Sequence, residues 1–221
     1  MDLEERAGVH AALGDPTRLT IVDLLVTSDR SPGEIGRRLG VPSNLLTHHL
    51  DVLERAGVVA RVRSTGDRRR RYVTLRADAA PLATGTSALG ADRVVFVCTA
   101  NSARSLLACE LWRARSDVPA TSGGTEPAAA AHPGAARAAR RAGVELRGQP
   151  GPIPELHRGD LVVTVCDRAR ERLESGGRRH ADAERLHWSV PDPVVDGEFD
   201  TALERIDGRV RRLVPLVHNT N

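Results

Sequence analysis

Several residue types are scarce in this sequence, and each scarcity excludes a class of protein. The 221 residues include three cysteines, 2% aromatic residues and basic side chains that are all arginine. Three cysteines without paired spacing do not suit a disulfide framework, and they favour a reducing, cytoplasmic location with reactive thiols. No long apolar run and no signal-peptide pattern follows Met1, so we expect neither a membrane span nor secretion. We interpret the absence of lysine as the codon bias of a GC-rich genome.

Length and charge bound the number of domains and the partners. An apolar fraction of 40% in 221 residues allows two modest domains, each with its own core. The formal net charge is only +3. Binding of nucleic acid therefore has to be judged from where the arginines lie along the chain.

A cysteine stands where an apolar strand pattern ends and a helical pattern begins. Residues 94–97 predict a strand buried on both faces, and residues 104–116 predict a helix. In such a unit the loop amides and the positive end of the helix dipole favour an anion at one spot. We expect Cys98 to be a thiolate near neutral pH, with the guanidinium of Arg104 facing the same anion. The predicted oxyanion-binding residues are Thr99, Ala100, Asn101, Ser102, Ala103 and Ser105.

A lone cysteine after a strand is more often a buried packing residue than a nucleophile. Here the neighbours favour catalysis, because Ser105 can hydrogen-bond a thiolate and Asn101 tolerates the left-handed backbone that a tight loop needs. These residues resemble the phosphate loop, Cys-x5-Arg-Ser, of the low-molecular-weight protein tyrosine phosphatase superfamily, and in particular its arsenate reductases. The resemblance covers roughly residues 93–221.

A second motif extends the resemblance. The segment His187-Trp-Ser-Val-Pro-Asp-Pro193 is similar to the reductase segment around the general acid, which implies that role for Asp192. Cys166 stands where thioredoxin-coupled arsenate reductases have a resolving cysteine. Residues 167–187 contain no further cysteine. Thioredoxin or a low-molecular-weight thiol would therefore have to complete turnover from outside. No bound cofactor is expected, and Cys109 is interpreted as a packing residue.

The second half of the chain alternates strand and helix patterns. This alternation predicts an α/β domain whose parallel sheet is covered on both sides, with ligands beyond the carboxyl ends of the strands. Cys98, Cys166 and Asp192 all follow predicted strands and should share that edge. Strands are predicted near residues 93–97, 119–122, 160–166 and 185–189, and helices near residues 104–116, 133–142, 168–175 and 200–217.

The first half of the chain shows helix caps and a helix-turn-helix pattern. Asp15 before Pro16 should cap one helix, residues 31–34 have the spacing of a capping box, and Ser43 should cap a third helix that ends near Gly57. In this third helix the apolar spacing predicts an inner and an outer face. Leu46, Leu50 and Leu53 should face the core, and Asn44, Leu45, Thr47, His48 and Asp51 should face outward.

A hairpin rich in arginine follows, with strands predicted at residues 58–64 and 68–76 and a turn at residues 65–67. Residues 61–76 contain seven arginines against one acid. An arginine run is as often a solvated hairpin, but beside a helix-turn-helix it is typical of a wing that lies along phosphates. The wing residues expected to bind DNA are Arg68, Arg69, Arg70 and Arg71.

Residues 15–75 resemble the ArsR/SmtB-type winged-helix repressors, notably at Asp15-Pro-Thr-Arg18, Thr47-His-His-Leu50 and Glu54-Arg-Ala-Gly57. The resemblance implies a homodimer on operator DNA with two symmetric half-sites, contacted by Ser43, Asn44, Thr47 and His48. All three cysteines lie after this region, so a local thiol cluster for arsenite is not expected. His10, His48 and His49 are interpreted as surface or groove-facing residues and no metal site is predicted.

The sequence thus predicts a mainly α winged helix-turn-helix domain at residues 1–80, a linker at 81–92 and the α/β domain at 93–221. The leading hypothesis is a bifunctional repressor and thiol-dependent arsenate reductase in arsenic resistance, with operator DNA, an arsenate- or phosphate-like oxyanion and a thiol reductant as partners. Two alternatives stay open: a phosphatase-like hydrolase with a DNA-targeting domain, and a non-catalytic repressor that senses an oxyanion.

Overall fold

The computed structural model describes residues 2–82, 85, 88–176 and 183–220. The chain divides into two compact units, one of residues 1–64 and 68–87 and the other of residues 65–67 and 88–221. Among the described helices, none combines the length and the apolar composition that a bilayer span requires.

The first unit consists of four helices followed by an antiparallel hairpin. Its core contains fully buried aliphatic side chains from three helices, including Ile21, Ile35 and Leu50, together with Tyr72 from the hairpin. The helices are α1 (Leu3–Leu13), α2 (Pro16–Thr27), α3 (Pro32–Leu39) and α4 (Ser43–Arg55), the strands are β1 (Val59–Arg63) and β2 (Arg71–Leu75), and a 3-10 helix follows at Ala77–Leu82.

Two of the predicted helix caps are confirmed. The Asp15 carboxylate accepts the Arg18 N–H at 2.9 Å, and Ser31 and Glu34 form a reciprocal capping box at the start of α3. Gly40, in the left-handed conformation, ends α3 and opens the turn to α4. The order α3, turn, α4 is the predicted helix-turn-helix.

The predicted cap at Ser43 is wrong. Pro42 occupies the N-cap position with φ −56° and ψ 147°, and Ser43 is already the first helical residue. The proline ring holds φ near this value and no side chain makes the capping bond.

The two faces of α4 follow the apolar spacing. Leu46, Leu50 and Leu53 are buried, while Asn44, Leu45, Thr47 and His48 are exposed and Asp51 is half-buried. The interpretation of His49 as a surface residue is wrong, because His49 is 7% exposed and its Nδ1 lies 3.7 Å from the Asp15 carboxylate. Its position three residues after Leu46 turns it toward α2.

The second unit contains a four-stranded parallel sheet, as the alternating pattern predicts, in the order β5 (Ala120–Gly124), β4 (Arg93–Cys98), β6 (Asp160–Thr164) and β7 (Glu184–His187). A two-residue strand β3 (Leu89–Gly90), inside the segment predicted as a linker, pairs in parallel with β8 (Val217–His218) near the C-terminus. The helices are α5 (Arg104–Arg113), α6 (Pro133–Arg141), α7 (Asp167–Ser175), α8 (Pro193–Asp196) and α9 (Phe199–Leu213).

The last helix is shorter than predicted. It ends at Leu213, and a 3-10 turn at Val214–Leu216 leads into β8. Pro215 has no N–H to continue the helical hydrogen bonds, which explains the change at this point.

The core of this unit contains most of the few aromatic side chains. The Phe96 ring, on the central strand β4, has its centroid 6.0 Å from that of Trp112 and 5.8 Å from that of Trp188. All three residues are fully buried, and the Trp112 Nε1–H donates to the Val118 carbonyl at 2.9 Å. This packing joins α5 and the segment after β7 to the central strand β4.

We expect Asp15→Ala to lower the free energy of unfolding by about 1 kcal/mol, because an N-cap acceptor is lost, whereas Asp15→Asn should keep most of it. The Arg18 N–H holds the pKa of Asp15 below its ordinary value. A carboxylate whose pKa is lowered in the folded state stabilises the protein at pH values above its unfolded-state pKa. This stabilisation is lost as the pH falls through the folded-state pKa. The difference in the free energy of unfolding between Asp15→Ala and wild type should thus be largest at pH 7 and smaller in acid. Urea denaturation at pH 7 and in acid measures this difference. An equal difference under the two conditions would contradict the role of Asp15 as an N-cap.

Candidate active site

Cys98 ends the central strand β4 at the carboxyl edge of the sheet. Its Sγ lies 3.0 Å from the Ser105 Oγ and accepts the Asn101 N–H at 3.2 Å. The side chain is 2% exposed. The strand therefore places the thiol at the floor of the loop that leads into α5.

Four carbonyl groups of the loop are hydrogen-bonded from outside it. Backbone N–H groups of the segment after β5 donate to these carbonyls, at 2.8 to 3.1 Å. Within the part of the chain that the structure describes, the amides of Thr99, Ala100, Ser102 and Ala103 have no acceptor. Amides turned inward with the carbonyls satisfied outside form a cradle for an anion. The outward pairs are Cys98 with Thr125, Thr99 with Glu126, Ala100 with Ala128, and Ser102 with His132.

Asn101 determines the shape of this loop. It has φ 47°, the one positive φ among the described residues other than glycine, as its predicted tolerance of the left-handed region requires. Its Nδ2 donates to the Ser105 Oγ at 2.8 Å and the Ser122 Oγ at 3.0 Å, and its Oδ1 accepts the Gly151 N–H at 2.9 Å. Because the Ser105 oxygen accepts from Asn101, its own hydrogen is available for the Cys98 sulfur.

Arg104, the first residue of α5, faces the open side of the loop. Its Nη1 donates to the Val190 carbonyl at 3.1 Å and its Nη2 to the Asp192 carboxylate at 2.8 Å. The Arg104 side chain is 7% exposed and that of Asp192 is 38% exposed. The fork of the guanidinium thus joins the loop to the segment that carries the expected general acid.

Cys166 lies beside the loop. Its Sγ is 3.4 Å from the Thr99 Oγ1 and caps α7 by accepting the Ala169 N–H at 3.4 Å. Burial raises the pKa of the Cys166 thiol, the positive charge of Arg104 acts against this rise, and the neighbouring Cys98 adds to it. The sheet therefore brings Cys98, Arg104, Cys166 and Asp192 to one edge.

Cys109 is buried on the inner side of α5. Burial raises the pKa of its thiol to about 11. Such a thiol is neutral at physiological pH and is a packing residue, as the sequence predicts.

Sequence reasoning missed a buried hydrogen-bonded pair, His187 and Asp167, next to Cys166. His187 Nε2 lies 3.0 Å from the Asp167 carboxylate, and both residues are buried. Burial raises the pKa of Asp167, but the hydrogen bond from His187 and further hydrogen bonds to the carboxylate together hold that pKa below its ordinary value. Ser122 and Gly151, which hold Asn101, were also missed, because only the register of the folded strands brings them to the loop.

The second expected site lies on the first unit. The expected DNA-binding residues of α4, namely Ser43, Asn44, Thr47 and His48, are exposed. Arg68 to Arg70 lie in the hairpin turn, and Arg71 starts β2 three residues later than the predicted strand start. All four arginines are exposed. Arg61 is half-buried, and its guanidinium pairs with Asp51 at 2.7 Å and with Glu54.

The fold and the site together define an α/β protein with a Cys-x5-Arg loop at the carboxyl edge of a parallel sheet. Residues 93–220 match the family described as low molecular weight phosphotyrosine protein phosphatase, and residues 13–62 match the family described as helix-turn-helix domain. The first match covers more than half of the chain, which therefore belongs to the low molecular weight phosphotyrosine protein phosphatase family. The two resemblances drawn from the sequence are confirmed.

Individual relatives cover parts of the chain. The transcriptional repressor SdpR of Bacillus subtilis (strain 168) is 36% identical over 52 residues, which are 24% of this chain and 58% of that protein. The chain spans about half the length of the curated relatives it matches. The crystal structure of arsenate reductase from Archaeoglobus fulgidus DSM 4304 is 28% identical, covering 55% of this chain and 98% of that chain at a TM-score of 0.47. The YwlE arginine phosphatase from Geobacillus stearothermophilus is 19% identical, covers 56% and 90% respectively, and has a TM-score of 0.50, a likeness in fold.

A substitution at Gly124 tests whether the loop depends on close backbone packing. A Cβ on Gly124 would lie 2.7 Å from the Thr99 carbonyl oxygen and 3.1 Å from the Asn101 nitrogen, whereas Gly151 has open space around it. We expect Gly124→Ala to destabilise the second unit by about 1–3 kcal/mol and to weaken oxyanion binding. Gly151→Ala is the matched control and should change little. Tungstate affinity and urea denaturation measure both effects, and equal behaviour of the two variants would contradict this account.

Proposed function

We propose that the chain is an operator-binding transcription regulator whose second domain reduces arsenate with thiols, as part of arsenic resistance in the cytoplasm. The observation that carries the proposal is the second thiol. A hydrolase of this fold needs one cysteine. Here a second cysteine, Cys166, contacts the loop, with its Sγ 3.4 Å from the Thr99 Oγ1. Two thiols at one oxyanion site supply the two electrons that reduction of arsenate requires.

In the first step, the Cys98 thiolate attacks arsenic. An S–As bond forms, one As–O bond breaks, and the departing oxygen takes a proton from Asp192 and leaves as water. The inward amides and Arg104 hold the remaining oxygens. Arsenic stays in its oxidised state through this step.

In the second step, the Cys166 sulfur attacks the Cys98 sulfur, and the proton of the Cys166 thiol passes to an oxygen of the departing arsenite. A disulfide forms, the electron pair of the S–As bond stays on arsenic, and arsenite leaves. The two cysteines are oxidised and arsenic is reduced by two electrons. Because the sequence provides no third thiol near Cys166, an external thiol, thioredoxin or a low-molecular-weight one, reduces the disulfide.

The second candidate function is hydrolysis of a phosphate ester. Membership of the phosphatase family favours it, since Cys98, Arg104 and Asp192 are sufficient for attack and proton donation, with water completing turnover. The exposed apolar side chains after Asp192 are those of Val194 and Val195, at 50% and 86%, and they provide no aromatic ring for a phenyl group. A small inorganic oxyanion suits this entrance better.

The decisive experiment measures arsenite from arsenate with the purified protein, with thioredoxin or a small thiol added in turn and phosphate-ester hydrolysis run in parallel. Turnover with a reductant supports the reductase. Hydrolysis without added thiol selects the hydrolase, and oxyanion binding with neither reaction selects a sensor.

Cysteine variants separate the two steps. We expect Cys98→Ser to abolish both adduct and arsenite, and Cys166→Ser to form the arsenic adduct while release slows by at least about tenfold. Cys109→Ser is the control and should keep turnover, because its thiol is buried and neutral. Intact mass and arsenite assays follow these outcomes, and normal turnover in Cys98→Ser would refute the mechanism.

For the first unit, we propose that a homodimer binds two half-sites of an operator, with α4 in the major groove and the arginine-rich turn on phosphates. The relatives of this part are regulators, and the exposed face of α4 offers polar side chains to base edges.

Replacement of Arg69 and Arg70 by alanine should weaken binding to all DNA sequences and reduce the salt slope by about one per arginine. Thr47→Ala should instead change sequence preference. Arg61→Ala is the control, because Arg61 lies on β1 outside the exposed turn and is half-buried, so its loss should leave the salt slope unchanged. Binding isotherms at several salt concentrations decide, and an unchanged slope in the double variant would exclude the turn as a phosphate contact.

A further inference from the structure

Two segments enclose the loop. We call residues 125–132 the rim segment, because its backbone N–H groups hold the loop's carbonyls, and residues 190–199 the lip segment, because it carries Asp192. The rim segment ends at His132, whose N–H donates to the Ser102 carbonyl at 2.8 Å. The lip segment ends at Phe199, the buried first residue of α9.

The two segments meet at these two side chains. The rings of His132 and Phe199 are stacked, with centroids 4.7 Å apart and 15° between their planes. Beside this stack, Gly134 lies so close to the Phe199 ring that a Cβ on it would overlap the ring atoms. Phe199 is thus seated on the first turn of α6.

His132 has a second contact that can be separated from the stack. Its Nδ1 accepts the Gly134 N–H at 3.1 Å and caps α6. A substitution can therefore keep the cap and remove the ring, or keep the ring and remove the cap.

The lip segment is also held near the site by the buried side chains of Val190 and Pro193 and by the guanidinium of Arg104, which donates to Val190 and Asp192. Between Asp192 and Phe199, Val194 to Glu198 are exposed. When an oxyanion enters the loop, we expect the guanidinium of Arg104 to donate to it as well, so that Arg104 is shared between the oxyanion and the lip segment. Arg104 alone would then hold Asp192 less firmly at the moment when Asp192 has to donate its proton.

We propose that His132 and Phe199 are positioning residues that hold the Asp192-bearing lip segment against the rim of the phosphate loop while Arg104 binds the oxyanion. This inference rests on the proposed function, because it assigns Asp192 as the proton donor at that site. It adds the stacked pair as the residues on which that donation depends. Loss of the stack should therefore affect proton transfer and leave oxyanion binding unchanged.

The test compares His132→Asn, which keeps a capping acceptor without the ring, with His132→Phe, which keeps a ring without the acceptor. Phosphate esters serve as probes: Cys98 attacks phosphorus, the P–O bond breaks, and the leaving oxygen takes the Asp192 proton. Phenoxide needs that proton far more than 4-nitrophenoxide does.

With His132→Asn we expect phenyl phosphate turnover to fall about tenfold or more, 4-nitrophenyl phosphate turnover to change less than about threefold, and tungstate affinity to stay constant. His132→Phe should keep the wild-type ratio of the two substrates even if it unfolds earlier. In an Asp192→Asn background, His132→Asn should add no further loss. Equal losses with both esters, or additive losses, would overturn the proposal.

A second measurement does not depend on any activity. Hydrogen exchange of residues 190–199 in tungstate-saturated protein should accelerate in His132→Asn and not in His132→Phe. Unchanged protection in His132→Asn would refute the positioning role. Faster exchange without arsenate turnover in the wild type would keep this inference and reject the reductase, so the two failures are distinguishable.

Discussion

The site depends on one constraint: the carbonyls of the loop must be satisfied from outside so that its amides can face inward. Four backbone hydrogen bonds from the segment after β5 meet this demand, and Asn101 at φ 47° turns the chain between them. A buried amide without a partner is costly, so a loop of this kind is stable only when a neighbouring segment accepts the outward half of its polar groups and an anion or water accepts the inward half. Gly123 and Gly124 allow this packing, because side chains there would overlap the segments they contact.

Local signals were sufficient for much of the fold. The caps at Asp15 and Ser31 follow from side-chain chemistry within four residues, and the buried strand before Cys98 follows from apolar β-branched residues. The predicted N-cap at Ser43 is wrong, because Pro42 takes the N-cap position one residue earlier with its own backbone angles. The four-residue helix α8 was not predicted, since so short an element carries no periodicity.

Tertiary contacts explain what the sequence could not reveal. Motifs predicted that Cys98, Cys166 and Asp192 follow strands, and parallel strands then gather them at one edge. By contrast, the partners of Asn101 lie 21 and 50 residues away, and the pair of His187 with Asp167 joins the end of β7 to the start of α7. Such pairs depend on strand register, which a single sequence does not contain. Arg61 illustrates the same point. Its place in the sequence makes it one of the wing charges, but in the fold its guanidinium pairs with Asp51 and Glu54.

Because aromatic residues are scarce, the two units differ in their intrinsic fluorescence. Both tryptophans, Trp112 and Trp188, lie buried against Phe96 in the second unit, and the single tyrosine, Tyr72, lies buried in the first. Intrinsic tryptophan emission therefore originates from the phosphatase-like domain alone. The wavelength and intensity of this emission report on the environment around β4. Changes confined to the winged helix leave the emission unchanged.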